Sequence, residues 1–515
     1  MSSILFSVKQ KKIIWLLGVF VFFKISCLSS IEFEVADIFG DNMVLQAGAA
    51  GKIWGKGPSG EKVSLKIAGA EAHTTIDSLG KWQIELPNLS PSYTTYNLVV
   101  EGPKTIRFQN ILFGDVWYAS GQSNMEWRLR ECAKREKKFL EFIETAKLAT
   151  IRFRTIKTQQ SRRPLDRIGD KKNWVVADSG SVLDFSALAY LFANELFNKL
   201  DRPIGIIDSS WGGHPIEPFI PSSAFRGHPV LEEELRLSQA GDLKGLRKLP
   251  GGVWARDESW LAGRIYNSRV APILPFQIKG IIWYQAESNC GTGEDPRYYH
   301  VKMDALIRGW REAWKDLKLP FYYVQLPQYT AQGWTLMRDE QRRALNAISH
   351  SGMVVTIDLK LDEIHPANKL DVAKRLAQLA LGGAYERDVV CSGPFFERVI
   401  FKDEIAIITF KNASAGLITG KMSDYRSVQF SSDKSINGFE ILSEDGQWFP
   451  AKAVITNGNE VRCHSQEVEN PQAVRYGWRP AMPLNKPWNL YNKAGLPASP
   501  FNSLPIEKIY PDVRL

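Results

Sequence analysis

Between residues 110 and 385 the chain alternates short apolar runs with helical stripes, and few folds accommodate that pattern. The runs are Asp115-Val116-Trp117-Tyr118-Ala119, Ile204-Gly205-Ile206-Ile207-Asp208, Gly280-Ile281-Ile282-Trp283-Tyr284, Phe321-Tyr322-Tyr323-Val324-Gln325 and Met353-Val354-Val355-Thr356-Ile357. Between them Leu188, Leu191, Leu196 and Leu200 recur at helical spacing, as do Met303, Leu306, Trp310 and Trp314, and then Leu370, Ala373, Leu376, Ala377 and Leu381. Strands that are apolar along their whole length are covered on both faces, and alternation with helices implies parallel pairing. The expected fold is therefore α/β, an α/β/α sandwich on a parallel sheet. Such a sheet gathers ligand sites at the carboxyl ends of its strands, so chemistry is sought just after each run.

The flanks differ. From Ile31 to Gln109 short segments alternate at period two, as in Lys62-Val63-Ser64-Leu65-Lys66-Ile67 and Lys81-Trp82-Gln83-Ile84-Glu85-Leu86, which are separated by turn formers. This reads as an N-terminal β-sandwich-like module over 31–109, followed by the α/β domain over 110–385. The β pattern returns in Glu397-Arg398-Val399-Ile400-Phe401 and Ile405-Ala406-Ile407-Ile408-Thr409-Phe410, giving a C-terminal β-rich module over 386–515. Residues 1–30 read as a signal peptide: Lys9, Lys11 and Lys12 precede the uncharged, largely apolar stretch Ile13 to Phe23, and small residues follow. The chain is expected to be exported, to the periplasm or beyond the cell. Lys24-Ile25-Ser26 before Cys27 matches a lipoprotein cleavage site poorly, so an anchor at Cys27 is not expected.

Removing those 30 residues takes away four lysines and lowers the formal charge from +9 to +5, which is mild for a chain of 515. With no basic cluster interleaved with aromatics, nucleic acid is not an expected partner, and no stable membrane partner is expected either. The five cysteines lack Cys-x-x-Cys spacing and the seven histidines lack His-x-His or His-Glu-x-x-His, so no metal and no cofactor is expected. Disulfide pairing stays open.

Four stretches after separate runs carry candidate chemistry. Ser123, in Gly121-Gln122-Ser123-Asn124-Met125, follows the first run; Met125 in place of a final glycine sets it apart from the Gly-x-Ser-x-Gly elbow of α/β-hydrolases. A serine nucleophile needs a base, and the base an orienting partner. His365 lies in Asp362-Glu363-Ile364-His365-Pro366 after the fifth run, with Asp362 three residues before it and Asp358 and Glu363 as competing orienters. Donors for a tetrahedral oxyanion are offered by the glycines of Ser209-Ser210-Trp211-Gly212-Gly213-His214 and by the amides of Gln285-Ala286-Glu287-Ser288-Asn289. Each stretch alone reads as turn material, but together they would meet at one sheet edge.

Gly121-Gln122-Ser123-Asn124, Gly212-Gly213, Trp283-Tyr284-Gln285-x-Glu287-Ser288-Asn289 and Asp362-x-x-His365 together resemble the sialate O-acetylesterase group of SGNH-type hydrolases. Tyr266-Asn267 and Ala271-Pro272, and in the tail Asn489-Leu490-Tyr491-Asn492, are similar to that group too. The resemblance implies an SGNH-hydrolase-like domain with Ser123 as nucleophile, His365 as base and Asp362 as orienter. It further implies an oxyanion hole from the backbone N–H groups of Ser123 and Gly213 and the Gln285 side chain, with Asn124, Glu287 and Asn289 toward substrate. The implied activity is a serine esterase that removes O-acetyl groups from a sugar, sialic acid first, through an acetyl-enzyme. Alternatives are an acetylesterase acting on plant polysaccharide and a non-catalytic carbohydrate-binding protein. Three departures stand out: Ala286 occupies a glycine position, His214 a threonine-like one, and Glu363 a place where the family often has aspartate.

Overall fold

A computed structural model of the chain describes residues 31–509, apart from 141–149, 292–293, 332, 361–362, 414, 425–426 and 484. The signal-peptide segment and Cys27 therefore lie outside the described residues. At the centre is a parallel sheet. Its strands are β1 (Thr105–Gly121), β2 (Ile151–Thr155), β3 (Ile204–Ser210), β4 (Gly280–Tyr284), β5 (Phe321–Val324) and β6 (Ser351–Val354). They lie side by side in the order β2-β3-β1-β4-β5-β6, all parallel, with the short strand Val175–Val176 antiparallel at the β2 edge. The chain builds one side of β1 with β2 and β3, then crosses to the other with β4, β5 and β6. That reversal opens a crevice beyond the carboxyl ends of β1, β3 and β4.

Four helices cover the sheet: α1 (Ala187–Leu200), α2 (Tyr299–Trp314), α3 (Trp334–Ala347) and α4 (Lys369–Gly383). The pleat of β1 assigns them to faces, because neighbouring residues point oppositely. Trp117 meets Phe192 of α1 edge-on at 5.1 Å, while Tyr118 meets Trp310 of α2 at 5.5 Å. The expected α/β/α sandwich is thus observed, with the apolar stripes of α1, α2 and α4 buried against it.

Two elements of this core mix buried charged residues with their apolar ones. Strand β2 is Ile-Arg-Phe-Arg-Thr, yet Arg152 and Arg154 are buried, with Arg152 donating to Asn42 O at 3.1 Å and Arg154 to Thr155 O at 3.1 Å. Helix α3 buries Arg338, Asp339, Glu340, Gln341 and Arg342.

β strands flank this core at both ends. The first half of β1 pairs antiparallel with Ser92–Glu101, and Val44–Gln46 runs parallel to Leu112–Gly114, so one long strand serves both the N-terminal β region and the central sheet. A seven-stranded antiparallel sheet and a three-stranded one follow the helical region, built from segments between Phe395 and Asn502. Among the described residues no helix is long and apolar enough to cross a membrane.

Candidate active site

Strand β1 ends on Gly121 at φ +131°, and a Cβ built there would lie 2.1 Å from Tyr284 O on β4. Only glycine fits such an approach, and it lets Gln122 N–H donate to Tyr284 O at 2.9 Å. The chain then turns at once into the short helix Ser123–Glu126, which leaves Ser123 half-buried at the strand end.

The His365 ring reaches this serine from the loop after β6, with Nε2 2.8 Å from Ser123 Oγ. Trp127 stacks on the imidazole at 5.3 Å and 25°. The two residues are 242 positions apart in the chain, and the parallel sheet brings them together.

Opposite His365, the turn after β3 lies against Ser123. A Cβ at Gly212 would be 3.5 Å from Ser123 Cβ and 2.6 Å from Glu126 Oε2, and Gly212 N–H donates to that same carboxylate oxygen at 2.7 Å. Gly213 follows at φ +73° with open space around its α-carbon. Among the described residues the backbone N–H groups of Ser123 and Gly213 meet no protein acceptor, so both are available to a ligand.

Gln285, expected as an open side-chain donor, is fully buried. Its amide nitrogen faces three acceptors, Asn289 Oδ1 at 2.8 Å, Gln122 Oε1 at 3.0 Å and His214 O at 3.3 Å, and Tyr299 donates to its Oε1 at 2.7 Å. Two amide hydrogens against three acceptors leave none over for an oxyanion. Ala286 beside it takes φ +150°, a region that favours glycine, so the methyl group at this departure sits on a strained backbone.

The three residues expected toward substrate are also buried, and Glu287 Oε2 alone among their side-chain oxygens has no hydrogen-bond partner within the described residues. Asn124 donates to Glu287 Oε1 at 2.5 Å and to Ile364 O at 2.9 Å, tying the serine turn to β4 and to the histidine loop. Asn289 donates to Glu217 Oε1 at 2.9 Å and accepts from Ile216 N–H at 3.0 Å. The Asn124 and Asn289 amides are thus engaged within the protein.

Asp362 lies outside the described residues. Of the competing orienters, Asp358 is taken by Arg375, at 2.8 and 2.7 Å, and by the Tyr491 hydroxyl at 3.2 Å. Glu363 Oε1 is 3.8 Å from His365 Nδ1, beyond hydrogen-bond length, and is paired with Arg135.

Sequence reasoning missed Lys369, which is fully buried and donates to Asn124 Oδ1 at 2.5 Å, with the Trp127 and Tyr284 rings at 5.7 and 5.4 Å. Burial pushes its pKa down to about 8. It lies one turn of chain past His365, a spacing that could have flagged it. Burial, with the nearby Lys369 charge and then Arg135, holds the His365 pKa below the ordinary imidazole value, against an opposing pull from Glu363.

A serine–imidazole pair beside two unoccupied backbone donors is the arrangement acyl transfer requires. Comparison with known proteins agrees with it. A family model described as carbohydrate esterase, sialic acid-specific acetylesterase, matches residues 113–382. The sialate O-acetylesterases of Rattus norvegicus and Homo sapiens are each 26% identical to the chain, the first over 93% of it and 96% of the rat protein, the second over 92% and 93%. A solved carbohydrate acetylesterase from Xanthomonas citri superimposes with a TM-score of 0.78 at 30% identity, covering 92% of this chain and 99% of that one. With more than half of its length matched, from the end of the N-terminal strands through α4, the chain belongs to the sialic acid-specific acetylesterase family of carbohydrate esterases and is a carboxylic ester hydrolase.

Proposed function

We propose that the protein is an exported serine esterase that removes O-acetyl groups from a sugar through an acetyl-enzyme on Ser123. The 2.8 Å contact between His365 Nε2 and Ser123 Oγ carries this reading. His365 takes the hydroxyl proton as Ser123 attacks the acetyl carbonyl, and the N–H groups of Ser123 and Gly213 receive the oxyanion. The same imidazole returns the proton to the departing sugar hydroxyl. Water, activated by His365, then releases acetate. Asp362 is proposed as the carboxylate that orients His365, because Glu363 is paired with Arg135 and Asp358 with Arg375. Gln285 is proposed as a support of the Gly213 turn through His214 O. The division into 31–109, 110–385 and 386–515 is kept with this reading.

An O-acetylated sialic acid is the proposed substrate, supported by the matched family and by the curated relatives at 26% identity. A plant-polysaccharide acetyl ester is the second reading, since the same serine chemistry would serve either acetylated sugar. Acetate release from a panel of O-acetylated sialosides and acetylated xylo-oligosaccharides separates them. Turnover is expected on the sialosides, and turnover confined to the xylo-oligosaccharides overturns that choice while leaving the esterase chemistry in place.

The charges around His365 also fix a pH expectation. The base works only when neutral, so a lowered pKa keeps it active as pH falls. The acidic limb of kcat/KM is expected below the ordinary imidazole value of 6.5, and Lys369→Met is expected to move it upward. An acidic limb above 6.5 in the parent enzyme, or one that Lys369→Met leaves in place, refutes this account.

A further inference from the structure

His214 departs from the family pattern, and its ring is held in one orientation. It is nearly buried, with the Trp211 and Trp260 rings at 4.2 and 6.0 Å. Nδ1 lies 3.0 Å from Gly212 O and Nε2 lies 2.9 Å from Ser259 Oγ. A peptide carbonyl can only accept, so Nδ1 carries the proton of its contact with Gly212 O, while the single Ser259 hydroxyl proton goes to Asp257 and leaves none for Nε2. Asp257 holds Ser259 in place, accepting from its backbone N–H at 2.7 Å and from its hydroxyl at 2.5 Å.

The Gly212 carbonyl is one end of a planar trans peptide whose other end is the Gly213 N–H. The two groups point in opposite directions, so whatever fixes the carbonyl also aims the N–H. The peptide on the other side of Gly212 is fixed by Glu126, through the Gly212 N–H at 2.7 Å. Glycine at both positions, with Gly213 at φ +73°, would otherwise leave this peptide plane free to rotate.

We infer that His214 is a positioning residue for the reaction: by holding the Gly212 carbonyl it aims the Gly213 N–H at the oxyanion formed on Ser123. The inference rests on the serine mechanism proposed above and names what sets one of its two donors. His214 does not touch the reacting atoms. Its contribution appears in the transition state, where the negative charge develops, and hardly at all in ground-state binding.

Three replacements separate this role from simple packing. Asparagine places an N–H near the Nδ1 position, glutamine places one near Nε2, and leucine fills space with neither. With a soluble acetate ester, His214→Gln and His214→Leu are expected to lower kcat by about tenfold or more, with KM changed less than about threefold, and His214→Asn to stay within about threefold of the parent. Melting curves identify any variant that fails to fold; if leucine does, the Asn and Gln variants decide the question. A Gln variant with parental kcat, or an Asn variant that falls as far as Gln, overturns the inference. Ser123→Ala is measured in parallel. If it is inactive while the histidine variants behave like the parent, only the role of His214 falls; if it retains turnover, the serine mechanism falls and this inference with it.

Discussion

Ser123→Ala and His365→Ala are each expected to lower turnover of an acetate ester by about 10⁵- to 10⁶-fold, and the double variant to be no worse than either alone. The two side chains act as one unit, since the hydroxyl is a poor nucleophile until the imidazole takes its proton across the 2.8 Å contact. Both variants are expected to keep the fold. Ser123 is half-buried with its Oγ on His365, and Trp127 and Arg135 continue to cover the site without the ring. Residual activity in either variant measures what the backbone donors and binding supply on their own. His365→Ala with near-parental kcat in folded protein would transfer the role of base to another residue. His214, the other histidine beside the serine turn, has its ring nitrogens against Gly212 O and Ser259 Oγ.

The placement of this pair was legible in the sequence because parallel strands deliver their carboxyl ends to one edge. Continuous apolar runs marked β1, β3, β4, β5 and β6, and the stretches after four of them hold Ser123, Gly213, Gln285 and His365. What escaped was the direction in which polar groups face. Asn124, Glu287 and Asn289 are residue types that could serve a sugar or a scaffold, and only the fold turns them inward. The same ambiguity hid β2 and α3, whose buried arginines and carboxylates read as solvent-facing. In β2 the guanidinium groups take backbone carbonyls as partners, and in α3 Asp339 pairs with Arg342 and Arg343 at 2.7 Å each. Buried charge of this kind is tolerated only when its partners are in place, and sequence periodicity carries no information about partners. Lys369 is the case nearest the chemistry: its partner, Asn124, is 245 positions away.

The carboxylate behind the base is the remaining member of the catalytic unit. Asp362→Asn is expected to lower kcat by about 10⁴-fold, and Glu363→Gln to leave it within about threefold of the parent. An acceptor on His365 Nδ1–H fixes the tautomer that presents Nε2 to Ser123 and stabilises the imidazolium once the proton has moved; an amide in its place favours the wrong tautomer. Glu363 is poorly suited to this task. Its Oε1 is 3.8 Å from Nδ1 and is shared with Arg135, a cation that draws the carboxylate charge away from the ring. What Glu363 does supply is an upward pull on the His365 pKa, so Glu363→Gln is expected to move the acidic limb of kcat/KM slightly lower while kcat holds. The two variants therefore differ in kind as well as size, one losing turnover at every pH and the other shifting a profile. If Glu363→Gln instead lost turnover and Asp362→Asn kept it, the orienting role would pass to Glu363, and its carboxylate would have to leave Arg135 to reach the ring during the reaction.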